Sequence, residues 1–395
     1  MNRSRTGDQN LIKKINKTIV LKEIEEKSPI SRAEISKDTG LNKATVSTMV
    51  AELINDSLIY EIGSGRSSGG RKPVLLNFNY KAGYSIGIDL GVNYILAILT
   101  DLRGNIIFEI NHHLNTINLS KIEEELILLI DTLIQKAPKS SYKVIGIGIG
   151  VPGIVNNKGQ ILFAPNLKWK QVDLKDNLEQ RFNIPVIVEN EANAGVYGEQ
   201  LHSSVKDVHN ITYVSVGIGI GTGIIIDGKL FTGSTGISGE MGHMTIKSNG
   251  KKCSCGNRGC WELYAAESSL LNKAKQLSIF KNHRDLKIHH IIEEAENNNN
   301  EILKLLNTIG EYIGIGLVNI INTFNPELVI VGNSFGVLKK WLENPINRIL
   351  DNRLYPYQRT DTKLHFSSLG LYSCAIGASS ISILKFLSDN KVTIR

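Results

Sequence analysis

At 395 residues, with 42% hydrophobic and 21% charged residues and only 9 prolines, the chain is too apolar to be disordered or fibrous, and long enough for two or three domains. Glycines and polar residues interrupt every stretch short of the roughly 18 apolar residues a membrane span needs, and the first 20 residues hold five Lys and Arg without an apolar signal core, so a cytoplasmic protein with no membrane partner is expected. The formal charge of +7 is uneven: residues 1–80 carry 13 Lys and Arg against 9 Asp and Glu, a bias that suits a front end binding nucleic acid.

In chain order, Ile12 to Glu26 predicts a first helix with Ile12, Ile15, Ile19, Leu21 and Ile24 as its apolar stripe. A second begins after Ser28-Pro29-Ile30, where Ser31 can cap the helix start and Glu34 can close a capping box. Ala33 and Ile35 are its expected buried positions, and Gly40 ends it. Beyond Leu41 and Asn42 a third helix runs from Lys43 to Ile54, one face apolar and the other carrying Lys43, Thr45, Ser47 and Thr48. Two short helices joined by a glycine-containing turn match the helix-turn-helix pattern, and short hydroxyl side chains let the backbone approach a groove closely. Strands at 58–62 and 74–78 flank a glycine-rich segment with Arg66, Arg71 and Lys72, which reads as a wing whose cations follow phosphates. The expected DNA contacts are therefore Ser31, Arg32, Asn42, Lys43, Thr45, Ser47, Thr48, Arg66, Arg71 and Lys72, in a domain spanning 1–80.

A strand from Gly83 runs into a tight turn at Gly91 and is followed by a second strand, Tyr94 to Thr100. The unit recurs: Ile211 to Val216, then Gly217, Gly219, Gly221 and Gly223 as the turn, then Ile224 to Gly228. Such repetition predicts a duplicated α/β architecture with a cleft between two lobes, 81–190 and 191–395, and glycine turns of this kind let nucleotide phosphates approach the backbone. Helices are expected at 122–134, 174–182, 192–201, 303–324 and 375–387, the last returning to the first lobe, and fully buried strands at 144–149, 186–188 and 328–331. Asn297 to Asn300 is a polar joint without an assigned role.

His243 with Cys253, Cys255 and Cys260 makes the sharpest local signal: three thiolates and an imidazole form a closed tetrahedral set for structural Zn2+, with no position left open for hydrolysis. Cys374 stands apart, as a small core residue.

Gly239-Glu240-Met241-Gly242-His243, the cysteine cluster and Trp261-Glu262-Leu263-Tyr264-Ala265 resemble the ROK family of repressors and sugar kinases. With the winged module and the runs Ser28 to Ala33, Ser68 to Arg71 and Glu189 to Gly195, the likeness extends over nearly the whole chain. The resemblance implies a two-lobed, ribonuclease-H-like (actin/hexokinase-like) domain behind the winged helix-turn-helix, and a sugar pocket lined by Asn166, Asn190, Glu191, Glu240, His243 and Glu262. His243 would meet zinc through one ring nitrogen and a sugar hydroxyl through the other. A repressor released from operator DNA by a sugar, xylose foremost, is implied too; a homodimer or higher homo-oligomer is expected, because a single recognition helix covers only a half-site. In the family's kinases an aspartate at the position of Glu191 is the general base, Asp-Gly-Gly-Thr follows the first strand, and a threonine and a double glycine meet the nucleotide. Here Glu191, the run Asp89-Leu90-Gly91-Val92-Asn93, Ile218 and Asn333 stand at those places. No catalytic residue is therefore expected; the alternative is an ATP-dependent sugar kinase carrying a DNA-binding arm.

Overall fold

The structure, a computed structural model, describes residues 9–64, 73–203, 205, 208–281, 283 and 285–389. In the amino-terminal module α1 (Gln9–Lys27) leads through β1 (Ile30–Ser31) to α2 (Arg32–Thr39) and α3 (Lys43–Asn55); β2 (Ile59–Ser64) and β3 (Val74–Phe78) then pair antiparallel, with β1 on the far side of β3. The capping box is present: the Ser31 side chain accepts from Glu34 N–H, the Glu34 carboxylate accepts from Ser31 N–H at 2.8 Å, and Gly40 closes α2 at φ 70°. Two expectations shift. The core side of α1 is Val20, Leu21 and Ile24, whereas Ile12 is 51% exposed. The first half of α1 meets α3 through the ion pairs Lys13–Glu52 and Lys17–Asp56 rather than through apolar packing. Ala33 is exposed as well, because the first turn of α2 turns it outward while Ile35 faces the core.

The first α/β unit comprises β4 (Tyr84–Leu90), β5 (Tyr94–Asp101), β6 (Ile106–His113), α4 (Leu119–Lys136), β7 (Val144–Val151), β8 (Ile154–Val155), β9 (Ile161–Ala164), β10 (Trp169–Val172), α5 (Leu174–Phe182), β11 (Val186–Asn190) and α6 (Glu191–His202). Its five-stranded sheet has the order β11-β7-β4-β5-β6, antiparallel from β4 to β6 and parallel from β4 to β11; β8, β9 and β10 form a small separate sheet. The second unit comprises β12 (Ile211–Val216), β13 (Ile220–Ile226), β14 (Lys229–Leu230), α7 (Glu262–Ala265), α8 (Glu267–Ala274), α9 (Ile288–Glu296), α10 (Asn300–Phe324), β15 (Leu328–Gly332), α11 (Lys339–Arg353), α12 (Pro356–Asp361), β16 (Lys363–Phe366) and α13 (Ser373–Asp389). Its order, β14-β13-β12-β15-β16, repeats the same sequence of antiparallel and parallel neighbours. Gly221 and Gly223, expected in a turn, lie inside β13. A Cβ on Gly223 would collide with the carbonyl oxygen of Ala192, so the missing side chain is what lets α6 lie directly on the strand.

Two helices fill the space between the sheets. α13 lies on β4 and β7, α6 lies on β12 and β13, and the pair lie against each other. Their approach is backbone to backbone: a Cβ on Gly377 would overlap the Ala194 carbonyl oxygen, and one on Gly198 the Ser373 carbonyl oxygen. The stretch Gly370–Ser388 has the length and mean hydropathy of a membrane span, but 61% of it is buried inside the protein, where the first sheet and α6 account for its apolarity. Farther along, Ile383 and Leu387 of α13 enter the same apolar cluster as Val20, Leu53 and Phe78 of the winged module, together with Leu102 and Ile145 of the first unit. Tyr142 Oη donates to Asp56 O at 2.7 Å, and Arg103 donates to Ser28 Oγ at 3.2 Å, so polar contacts reinforce the same junction.

Candidate ligand cleft and metal centre

β11 delivers its last residue, Asn190, as the cap of α6: Oδ1 accepts from the N–H groups of Ala192 and Asn193, and Nδ2 donates to Gly153 O at 2.9 Å. One amide N–H of Asn190 remains for a ligand. Glu191 follows as the first residue of the helix, where the dipole favours a carboxylate, and its Oε1 accepts from Ser215 Oγ at 3.1 Å, at the end of β12. Burial pushes the Glu191 carboxyl up to about 7, helped by repulsion from Asp89 and, more weakly, Glu240. Asp89, at the end of β4, is buried and accepts from Tyr94 Oη at 2.7 Å; burial raises it to about 6. The Tyr94 ring lies over Gly91, in the space a Cβ there would need. Cys374 is buried, as expected of a core residue, but beside the Asp89 and Glu191 carboxyls: burial first, then their charge, raises its thiol well above the usual range.

Across the cleft, carboxylates stand over the turn after β12 and the start of β13. A Cβ on Gly219 would stand 2.9 Å from Glu262 Oε2, and one on Gly221 would stand 3.6 Å from Glu191 Oε1. The segment carrying Glu240 and His243 runs along β13, where Gly239 and Gly242 pass so close to the carbonyls of Thr222 and Ile220 that neither position has room for a Cβ. Glu240, its carboxyl raised by burial, places Oε2 3.9 Å from His243 Nε2. The other ring nitrogen, Nδ1, is 3.3 Å from Glu262 Oε1 and 3.7 Å from Cys253 Sγ. Glu262 thus stands over the turn, Glu191 beside Gly221 at the start of β13, and Glu240 and His243 on the segment along the same strand. Asn166 is exposed in the turn between β9 and β10.

The cysteine loop is strapped by bridges between Thr245 and Cys260 and between Lys252 and Arg258, and it reverses at Gly256, φ 95°. The ligand atoms of His243, Cys253, Cys255 and Cys260 all lie within 4.8 Å of one another, with Cys255 and Cys260 Sγ 3.7 Å apart. Zinc–sulfur bonds of about 2.3 Å place tetrahedral neighbours about 3.8 Å apart, so the donor set fits a zinc ion.

On the winged module, Asn42, Lys43, Ser47 and Thr48 are exposed and Thr45 is half-buried. Asn42 caps α3 by accepting from Thr45 N–H at 2.8 Å, and Arg32 pairs with Glu61 at 2.8 Å. Ser31 needs correction as a DNA contact: it is 3% exposed and its hydroxyl is committed to the capping box. Arg66, Arg71 and Lys72 lie outside the described residues. Sequence reasoning missed Ser215 and Tyr94 as parts of the cleft. Both sit at strand ends beside glycine turns, which was the available signal.

Residues 85–384 match the ROK family, and residues 16–60 match the winged helix-turn-helix DNA-binding family. The chain is 49% identical over 386 residues to the xylose repressor of Bacillus spizizenii, covering 98% of this chain and 99% of that one. Among solved structures it is similar to a ROK family transcriptional regulator, a homologue of the Escherichia coli Mlc protein, with TM-score 0.81 and 28% identity over 96% of this chain and 97% of the other. It is also similar to a ROK family glucokinase from Streptomyces griseus in complex with glucose and AMPPNP, with TM-score 0.70 and 28% identity over 76% of this chain and 99% of the kinase.

Proposed function

This chain belongs to the ROK family, and from that premise we propose that it is a transcriptional repressor that leaves its operator when xylose binds among Asn190, Glu191, Glu240, His243 and Glu262. The observation that carries the reading is the grouping of three carboxylates and an imidazole around the turn after β12 and the start of β13, in a chain whose winged module shares a core with α13. Sugar hydroxyls donate to carboxylates and accept from amides, so the set holds a polyol and discriminates stereoisomers through groups left unpaired by the wrong one. His243, Cys253, Cys255 and Cys260 would hold zinc, which supplies a rigid anchor for the loop; His243 Nε2, on the side of Glu240, is then left for a hydroxyl. Asn166 contributes, on this reading, as the lobes close.

A sugar that draws the lobes together moves α6, because Glu191 is its first residue. The glycine-tight contact leaves no slack between α6 and α13, and α13 carries the shift into the core of the winged module. In a homodimer on cytoplasmic DNA, the spacing of the two α3 helices then no longer fits two half-sites. Phosphoryl transfer is absent in this proposal: Tyr94 occupies the turn after β4 and caps Asp89, where a phosphate would need free backbone.

A gel-shift titration on DNA upstream of neighbouring sugar-utilisation genes tests this. Specific binding released by xylose and not by ribose or glucose is the expected result, and Glu191→Ala should bind the operator as wild type does while ignoring xylose. Operator binding that no sugar disturbs would remove the effector assignment, and transfer of phosphate from ATP to xylose would restore the kinase.

A further inference from the structure

The turn after β15 carries Asn333 in the left-handed region, φ 60°, a conformation that glycine and asparagine accept most readily. Its amide orientation is settled by chemistry. The backbone N–H of Ser334 donates to one end of the amide at 2.7 Å, and since an N–H can only donate, that end is Oδ1. The other end, Nδ2, therefore donates to Ser215 Oγ at 3.0 Å. Ser215 Oγ, already accepting, has its own proton free to donate to Glu191 Oε1 at 3.1 Å. All three bonds point the same way, from the backbone after β15, through the end of β12, to the first residue of α6.

We propose that Asn333 and Ser215 are positioning residues for sugar recognition: their polarised relay holds the Glu191 carboxylate in one rotamer and keeps it an acceptor, leaving Oε2 for a sugar hydroxyl. The inference rests on the preceding reading of the cleft and adds to it. Neither residue belongs to the sugar set read from the chain, and Asn333 stands where the family's kinases are expected to meet a nucleotide. The space beside Gly217 is filled by this side chain: a Cβ there would stand 3.1 Å from Asn333 Nδ2. A turn of the nucleotide half thereby serves the sugar half. The relay also opposes what surrounds Glu191. Burial, Asp89 from β4 and Glu240 from the segment along β13 all favour the protonated form, and the Ser215 hydroxyl favours the ionised one.

The test is isothermal titration of xylose into the full-length, zinc-loaded protein and into Ser215→Ala, Asn333→Gly and the double variant. Glycine keeps the left-handed turn, so Asn333→Gly should retain the wild-type melting temperature. Each single variant is expected to weaken xylose binding about tenfold, the scale of one hydrogen bond to a charged group, and the double variant by no more than either single one, because the relay acts as a unit. Ser215→Thr should restore affinity. The rise of affinity with pH should move to higher pH in Ser215→Ala, and operator affinity without sugar should stay unchanged. Variants within twofold of wild type, or losses that add in the double variant, overturn the relay. Wild-type protein that binds no sugar overturns the preceding reading as well, so the two failures are distinguishable.

Discussion

The two five-stranded sheets share one strand order and one pattern of parallel and antiparallel neighbours, yet their turns and outer faces differ. After β4 the turn is closed by the Tyr94 ring; after β12 the equivalent turn is overlaid by Glu262, with Glu191 beside Gly221 at the start of β13. The first unit joins the winged module through Leu102, Ile145 and Tyr142, whereas the second reaches it only through Ile383, Phe386 and Leu387 of α13 and carries the cysteine loop and a helical layer, α8 to α11, with its own core. In the proposed function the two units divide the labour: the first sheet and α13 support the DNA module, the second unit brings Ser215, Glu240, His243 and Glu262 to the ligand site, and α6 with α13 is the seam where they must agree.

The hardest blow to that division falls on the second unit. Replacing Cys260, which is fully buried, with serine, or stripping the metal with a chelator, should abolish the sugar response and lower the melting temperature more than any single apolar truncation. Structural zinc in small domains contributes on the order of 10 kcal/mol. Calorimetry with metal analysis checks it; an unchanged melt after metal removal would make the loop incidental. On the other side of the seam, Leu387→Ala should cost about 2 to 5 kcal/mol, as truncation of a buried leucine does. Faster hydrogen exchange should then appear in α1 and α3, and exchange confined to the first sheet would show that the module's core is not shared. The smallest effect is on pH. Glu191 and Asp89 hold their protons to about 7 and about 6, above the usual carboxylate range, because they are buried. The folded state therefore keeps protons that the unfolded chain has already released. This stability is fully present below the unfolded-state values and is lost as pH rises through 6 and 7. Glu191→Gln should gain on wild type between about pH 5.5 and 8, by on the order of 1 kcal/mol in denaturant titrations. A difference that does not change over that window would mean the carboxyl is solvated.

What was legible in the chain was what is local. The Ser31 and Glu34 capping box, the apolar strands of both sheets and the histidine with three cysteines are all set within short windows. β6 escaped because its residues are mostly exposed and leave no buried period, α8, α9 and α12 because short segments with polar joints resemble loops, and α11 because Pro345 lies inside it and reads as a breaker. The Asn333 bond to Ser215 spans 118 positions, so no spacing rule reaches it. Gly221 and Gly223 were misplaced for a related reason: a glycine required by a helix lying on a strand looks, in sequence, like a glycine required by a turn.

The placement of α13 also sets the timetable of folding. Ser85 Oγ, on a strand of the first sheet, donates to Ser379 O of α13, 294 positions later, and the winged module borrows Ile383 and Leu387 from the same helix. A nascent chain with β4, β7 and all three amino-terminal helices already made still lacks the apolar face on which they close, so these early segments must wait for a late one. A product halted before α13 would leave the places of Ile383 and Leu387 in that cluster unfilled, so the winged module would present an apolar gap where the full chain closes it.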